Sequence, residues 1–181
     1  MKKISSRNLT RCAMIAALYA VISIAFLPLA FGAVQARVSE ALTLLPVLTG
    51  LGIPGVTLGC LITNTYGVAS GANILGAADI VIGTAATLVA SLMTRSLRKY
   101  RFKGLPVLAS LPPVLINAVV IGAELTYAET NTLISPLLWI NMFQVGLGQL
   151  VACTLLGLVL VWALERAGLD KKLFGERKGQ Q

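Results

Sequence analysis

The sequence predicts an all-α membrane protein with six transmembrane helices. Three observations support this fold class: 56% of the 181 residues are hydrophobic, only 12% are charged, and the mean hydropathy is +0.83. These values lie outside the range of soluble domains. A chain of this length holds several spans but no added soluble domain, so we predict that residues 1–181 form a single transmembrane domain.

The predicted spans follow the apolar runs in chain order. The first run follows a basic segment and has roughly the 20 residues that cross a bilayer. No clear small-residue cleavage site follows it, so we interpret it as a helix and not as a signal peptide. The next two runs are interrupted by proline and glycine, and joined they would measure about 46 Å, too long for one crossing. The six predicted spans are residues 9–31, 38–52, 54–68, 74–94, 105–122 and 133–164.

The basic residues predict the orientation of the chain. With six spans, the basic segments 2–11, 95–103 and 166–178 all fall on one side of the membrane, as the positive-inside rule requires. Five spans would divide them. Of the 15 Lys and Arg residues, Arg37 alone is then not cytoplasmic. We therefore predict cytoplasmic amino and carboxyl termini, and we attribute the net charge of +8 to topology and not to a nucleic-acid surface.

Several kinds of chemistry are not predicted for this chain. It contains no His, and Cys12, Cys60 and Cys153 form no CxxC pattern and are expected to be small core residues. Neither a metal nor any other cofactor is therefore predicted. Gly50–Gly55 matches G-x-G-x-x-G, but no strand precedes it, so we predict a tight cytoplasmic turn. A P-loop and paired catalytic groups are also missing, so we do not predict an enzyme.

The few polar side chains in the membrane region are predicted to bind a substrate, because charges in a bilayer are costly and usually functional. In the predicted topology their acids lie near the outer side. Asn117 and Glu124 share one face of the fifth helix, and Asn141 and Gln144 share one face of the sixth. These faces predict an outward-opening polar pocket. The predicted substrate-binding residues are Gln35, Arg37, Glu40, Asp79, Asn117, Glu124, Asn141 and Gln144.

Structural roles are the alternative for some of these residues. Arg37 and Glu40, three residues apart, could form a structural ion pair. Asp79 could bond backbone near a helix start, with Gly83 aiding close packing on its face. Glu129 is expected to be solvated in a loop. Packing or interface roles are equally open for Asn64, Asn73, Trp139 and Gln149.

Small residues in the first helix predict a packing surface. Two overlapping Ala-x-x-x-Ala spacings form a flat strip that allows close approach of another helix. The pattern is common in membrane helices, and a separate partner subunit is the more specific hypothesis. The predicted partner-docking residues are Ala13, Ala16, Ala17 and Ala20.

Three segments carry a resemblance to a known family. They are Gln35-Ala36-Arg37-Val38-Ser39-Glu40-Ala41-Leu42-Thr43-Leu44-Leu45-Pro46, Asn64-Thr65-Tyr66-Gly67 and Asp79-Ile80-Val81-Ile82-Gly83-Thr84-Ala85-Ala86-Thr87-Leu88. Together with the predicted six helices, they resemble the QueT family, substrate-binding S-components of energy-coupling factor (ECF) transporters. The resemblance implies an S-component-like bundle in a bacterial plasma membrane that takes up queuosine precursors. It also implies that a separate module of two ATPases and a transmembrane coupling subunit supplies the energy.

The predicted site chemistry agrees with such a substrate. A 7-deazaguanine presents neighbouring N1–H and 2-amino donors that a carboxylate accepts as a pair, and the ammonium of its aminomethyl form is stabilised by a second acid. Candidate substrates are 7-aminomethyl-7-deazaguanine, 7-cyano-7-deazaguanine and queuine. An S-component for a pterin or flavin would share the fold, and a structural membrane subunit would tolerate loss of the outer acids. We expect membrane lipid to surround the protein, and we do not expect nucleic acid to be a partner.

Overall fold

The computed structural model describes residues 5–27 and 37–175. Within these ranges the secondary structure is helical, apart from turns and an isolated β-bridge between Phe102 and Leu105. The α-helices are α1 (Ser6–Ala25), α2 (Leu45–Leu48), α3 (Gly52–Ala69), α4 (Ala78–Ser96), α5 (Leu111–Thr130), α6 (Leu137–Gln149), α7 (Gly157–Arg166) and α8 (Leu169–Phe174). Further helical segments are the 3₁₀ helices Val38–Leu44, Leu97–Lys99 and Val107–Ser110 and the π-helix Leu150–Leu156.

Four helical stretches of the described residues are long and apolar enough to cross a membrane. They are Ser6–Ala25, Ala78–Lys99, Val107–Thr130 and Leu137–Arg166. Helix α3 is 18 residues long and is not one of these four stretches. The prediction of a helical membrane protein is confirmed, whereas the count of six complete spans and the orientation of the termini stay predictions.

The second predicted span, 38–52, is shorter in the structure. Its helical part is Val38–Leu48. With about 2.0 Å for each of the 7 residues in the 3₁₀ helix and about 1.5 Å for each of the 4 in α2, it reaches about 20 Å, short of a full crossing. It ends at Thr49, whose backbone is extended. The chain then turns sharply, since a Cβ on Gly52 would lie 2.6 Å from the backbone nitrogen of Pro46. This close turn directs α3 back along the bundle.

The fifth predicted span ends too early. Helix α5 continues to Thr130 and closes at Asn131, which adopts a left-handed conformation with φ of 54°. Glu129 therefore lies on this helix and not in the predicted loop, and Glu124 lies on the helix together with Asn117. Polar residues at the end of an apolar run do not stop a helix whose apolar side is still buried.

Glycines bring neighbouring helices into close contact. A Cβ on Gly59 of α3 would lie 2.6 Å from Cβ of Tyr19 in α1, and one on Gly122 of α5 would lie 2.8 Å from Cα of Met142 in α6. Small residues at such crossings allow the backbones to approach, which drives helix association in a membrane. Helices α1 and α3 therefore pack tightly, as do α5 and α6.

The 3₁₀ helix Val38–Leu44 lies in the middle of this bundle. It packs against α1, α3, α4, α7 and the π-helix, and Leu44 is fully buried. The thiol of Cys153, in the π-helix, contacts the carbonyl of Glu40 at 3.6 Å. Residues that begin this 3₁₀ helix are thereby placed inside the protein and not on its surface.

The basic residues meet at one end of the bundle. Arg95, in the last turn of α4, donates to the carbonyl of Pro46 at 2.8 Å. Arg101 pairs with Glu165 at the end of α7. We call this the basic end; Asp79, in the first turn of α4, lies at the opposite end of that helix.

Candidate functional site

Buried polar side chains from several helices meet at the end of the bundle that holds Asp79. Each is at most 7% exposed, although the surrounding helices are apolar. We call this set the polar cluster. Its members are Tyr19 of α1, Arg37 and Glu40 at the central 3₁₀ helix, Asn64 of α3, Asn73 of the loop before α4, and Asp79 of α4.

Asp79 is the centre of the polar cluster. Its Oδ2 lies 3.8 Å from Nη2 of Arg37 and accepts a hydrogen bond from Nδ2 of Asn73 at 2.7 Å. Asn64 donates to the Asp79 backbone carbonyl at 2.8 Å. The first turn of a helix also favours a negative charge. The other carboxylate oxygen, Oδ1, has no hydrogen-bond partner among the described residues.

Gly83 makes room for this carboxylate. One helical turn after Asp79, a Cβ at Gly83 would lie 2.0 Å from Oδ1 of Asp79 and 2.9 Å from Nδ2 of Asn64. Any larger residue would have to displace one of these groups. The packing role considered for Gly83 from the sequence is therefore specific to the Asp79 side chain.

Glu40 is held by the first helix. Its Oε1 accepts a hydrogen bond from the hydroxyl of Tyr19, and the hydroxyls of Ser23 and Ser39 lie 2.6 Å apart beside it. Its Oε2 has no hydrogen-bond partner in the described part of the chain. The ion pair that the structure gives Arg37 is with Asp79 and not with the neighbouring Glu40.

Cys60 fills the space under the polar cluster. Its sulfur accepts from the hydroxyl of Thr87 at 3.3 Å and from Nη1 of Arg37 at 3.9 Å. The predicted interpretation of the cysteines as buried core residues is confirmed, since Cys12, Cys60 and Cys153 are all free and buried.

Glu124 approaches the polar cluster from α5. Glu124 as a whole is half-buried, but both of its carboxylate oxygens are buried and lack hydrogen-bond partners among the described residues. It interacts electrostatically with Asp79 and Arg37. Asn117, two turns earlier on the same face, is 4% exposed and has no hydrogen bond within the described ranges. The predicted shared face of Asn117 and Glu124 thus points into the protein.

Asn141 belongs to a separate contact between α5 and α6. Its Nδ2 donates to the hydroxyl of Thr126 at 3.1 Å and to Oε2 of Glu129 at 3.0 Å. Gln144 is half-buried, and among the described residues it makes no hydrogen bond or ion pair to the polar cluster. Gln35 lies outside the described residues.

The structure divides the predicted alanine strip. Ala16 and Ala20 are 4% and 6% exposed, and a Cβ on Gly59 of α3 would lie 3.0 Å from the carbonyl oxygen of Ala16. These two residues pack inside the chain, which favours a packing role for them, and their role in docking stays a prediction. Ala13 and Ala17, on the other side of α1, are exposed.

An apolar groove lies along the exposed side of α1, toward the basic end. Its volume is about 710 Å³. Arg11 and Lys172 are the cationic residues that line it, and Ala17 is among its α1 residues. The remaining lining comes chiefly from Leu18, Val21, Leu42, Leu45, Leu160, Leu164, Leu173 and Phe174.

Sequence reasoning missed Tyr19 and underestimated two asparagines. Tyr19 and Ser23 are one turn apart in the apolar part of α1, residues 12–25. This signal was available but is ambiguous, because tyrosine is also a common packing residue. Asn64 and Asn73 were considered only for packing or an interface. Their contacts with Asp79 join segments that are distant along the chain.

Comparison with known proteins agrees with this geometry. A family model described as QueT transporter matches residues 9–166, a range that contains most of α1, all of α2 to α7 and the whole polar cluster. Searches of curated proteins and of solved structures found no match. The protein therefore belongs to the QueT transporter family, as its sequence predicted, and is a multi-pass membrane transport protein.

Proposed function

We propose that this chain is the substrate-binding S-component of an ECF-type importer and that its substrate is a queuosine precursor of the 7-deazaguanine class. One observation supports this most strongly. The two carboxylate oxygens of Glu124 are buried without partners beside the polar cluster. A buried polar group without a partner is costly, and a bound ligand is one way to complete it.

The ligand chemistry fits this arrangement. The N1–H and 2-amino groups of a 7-deazaguanine are adjacent donors, and a carboxylate with two unpartnered oxygens accepts both. Glu124 has this capacity, whereas one oxygen each of Glu40 and Asp79 is already engaged. The O6 acceptor of the base needs a donor, and Asn117 on the Glu124 face provides an amide. In this proposal Arg37 and Asp79 hold the site in shape.

Isothermal titration of the purified protein with 7-aminomethyl-7-deazaguanine tests the site. We expect the parent to bind and Glu124→Gln to bind at least tenfold more weakly, because hydrogen bonds to a charged group contribute about 1.5–3 kcal/mol. Glu165→Gln, at the basic end, is the matched control and is expected to bind as the parent does. Unchanged affinity of Glu124→Gln would show that this acid is structural.

The choice of substrate is tested separately. A panel containing a pterin and a flavin, titrated beside the three deazaguanines, distinguishes S-components of different specificity. Small molecules that copurify with the chain, identified by mass spectrometry, give an answer that does not depend on the panel. Tight binding of the pterin or flavin alone would replace the proposed substrate.

The proposed partner is a transmembrane coupling subunit that carries two ATPases. The exposed pair Ala13 and Ala17 supports this, because small residues on a lipid-facing side let another helix approach closely. We expect Ala13→Leu and Ala17→Leu to reduce transport in vesicles that contain the coupling module, with ligand affinity unchanged. Ala85→Leu, an equally exposed alanine on α4, is the control. Parental transport by the Ala13 and Ala17 variants would exclude this docking surface.

The proposed orientation places the basic end in the cytoplasm. Its support is the cluster of Arg and Lys residues there, since cytoplasmic ends of spans are enriched in these residues. Single cysteines introduced by Lys99→Cys and Glu129→Cys, with the native cysteines replaced, should react with an impermeant thiol reagent from opposite sides. Position 129 is expected to react from outside, and labelling of both from one side would contradict the topology.

A further inference from the structure

The proposed binding site contains more negative than positive charge. Glu40, Asp79 and Glu124 contribute three carboxyl groups, and Arg37 contributes one guanidinium. Arg95, the next basic residue along the chain, is at the far end of α4. Arg37 pairs with Asp79, so Glu40 and Glu124 are the two acids of this site that form no ion pair within the described residues.

Glu40 is the more buried of these two acids. It is 2% exposed, and its position is set from two directions. The hydroxyl of Tyr19 donates to Oε1, and the hydroxyl of Thr43 donates to the Glu40 carbonyl at 2.6 Å. The carboxylate is therefore oriented with Oε2 unpartnered, which is the arrangement of a preformed acceptor.

Other acceptors at the site also lack partners among the described residues. They include Oδ1 of Asn64 and Oδ1 of Asp79. The neighbouring amides already donate to Asp79, Asn64 from Nδ2 to its backbone carbonyl and Asn73 from Nδ2 to its Oδ2. A ligand that completes these groups must bring hydrogen-bond donors, and it offsets the excess negative charge best if it is a cation.

We infer that the site selects ligands carrying an ammonium group and that Glu40 is the residue responsible. This rests on the proposed function, in which Glu124 accepts the N1–H and 2-amino edge. Glu124 then contacts a part of the ligand that all 7-deazaguanines share, whereas Oε2 of Glu40 accepts from the protonated amine of the 7-substituent. A neutral substituent would leave that carboxylate buried and uncompensated.

Two ligands that differ in charge at one position test this. Isothermal titration compares 7-aminomethyl-7-deazaguanine with its neutral 7-hydroxymethyl analogue, which keeps the tetrahedral carbon and a donor. The parent is expected to bind the aminomethyl ligand at least tenfold more tightly. Glu40→Gln should lose most of that preference because only the affinity for the aminomethyl ligand falls. The glutamine oxygen still accepts a hydrogen bond from Tyr19 and keeps the site in shape.

Glu124→Gln provides the matched comparison and is expected to weaken both ligands to a similar extent. Equal affinity of the parent for the two ligands, or an equal loss for both in Glu40→Gln, would overturn the inference while leaving the proposed function in place. Failure of the parent to bind either ligand would instead refute the proposed function. If Glu40→Gln unfolds, Glu40→Asp, which keeps the charge and shortens the side chain, must retain the preference for the cation.

Discussion

Two arginine–carboxylate pairs of the described structure differ in burial. Nη1 and Nη2 of Arg101 donate to Oε2 and Oε1 of Glu165 at 2.9 and 2.6 Å. The side chains of Arg101 and Glu165 are 34% and 27% exposed. The hydrogen bonds that Arg101 donates to the Glu165 carboxylate raise the pKa of Arg101. Arg37 and Asp79 are farther apart, at 3.8 Å, but only 7% and 0% exposed.

The comparison teaches that distance alone does not rank ion pairs. Water and mobile side chains compete with an exposed pair, so its net contribution is small even at ideal geometry. Removal of one partner from a buried pair leaves a charge without water or counter-charge, which is costly. The longer pair therefore matters more, both for stability and for the shape of the polar cluster.

The largest effect is expected from breaking the buried pair on one side. Arg37→Gln leaves Asp79 buried without its cation, and we expect a loss of about 3–5 kcal/mol in the free energy of unfolding. Unfolding of the purified protein in detergent measures this. The double variant Arg37→Gln/Asp79→Asn removes both charges and should recover part of the loss. Stability of Arg37→Gln equal to the parent would mean that the pair contributes no more than the exposed one.

The next effect concerns the space beside Asp79. Gly83→Ala places a Cβ where Oδ1 of Asp79 now lies, so the carboxylate must move away from Arg37 and Asn73. We expect a loss near 3 kcal/mol, the upper part of the usual range of about 1–3 for overpacking, in the same unfolding assay. Gly146→Ala is the control, since its Cβ would lie 3.4 Å from Cβ of Ala118. Equal stability of the two variants would argue against this role for Gly83.

A smaller effect should follow from removing the hydroxyl that holds Glu40. Tyr19→Phe leaves Oε1 of Glu40 buried without its donor, for which we expect a loss of about 1–2 kcal/mol. Tyr127→Phe removes a hydroxyl from a residue that is 56% exposed and should change stability by less than about 0.5 kcal/mol. Calorimetric unfolding in detergent compares the two, and similar results for both would show that the Tyr19 contact contributes little.

The smallest effect is expected at the exposed pair. Arg101→Gln should reduce stability by no more than about 1 kcal/mol. The loss should shrink at 1 M salt, where the Debye length is about 3 Å. Lys99→Gln, at the same end of the bundle, serves as the control for a change in net charge. A loss as large as that of Arg37→Gln, or one that salt does not reduce, would contradict the distinction between the two pairs.

The central 3₁₀ helix shows how far sequence reasoning reached. Its charged residues Arg37 and Glu40 were predicted to be functional because charge between apolar runs is costly, and they do enter the polar cluster. The length of this helix and the elements around it were not predicted, because an apolar run of this size fits a membrane span as well as a short buried helix. Periodicity does not report what surrounds a helix. The packing of five neighbouring elements around it decided that.

The sequence by itself determined that the chain is a helical membrane protein of the QueT transporter family, and it identified Arg37, Glu40, Asp79 and Glu124 as its unusual charges. The family follows from the segments that resemble it. The membrane class and the unusual charges follow from local composition, because apolar runs and embedded charges have the same energetic consequences wherever they lie in the chain. Only the tertiary structure decided that Arg37 pairs with Asp79, that Tyr19 holds Glu40, and that Ala16 is buried while Ala17 is exposed. Partners distant along the chain are chosen by close packing, which depends on where each glycine lets two helices meet.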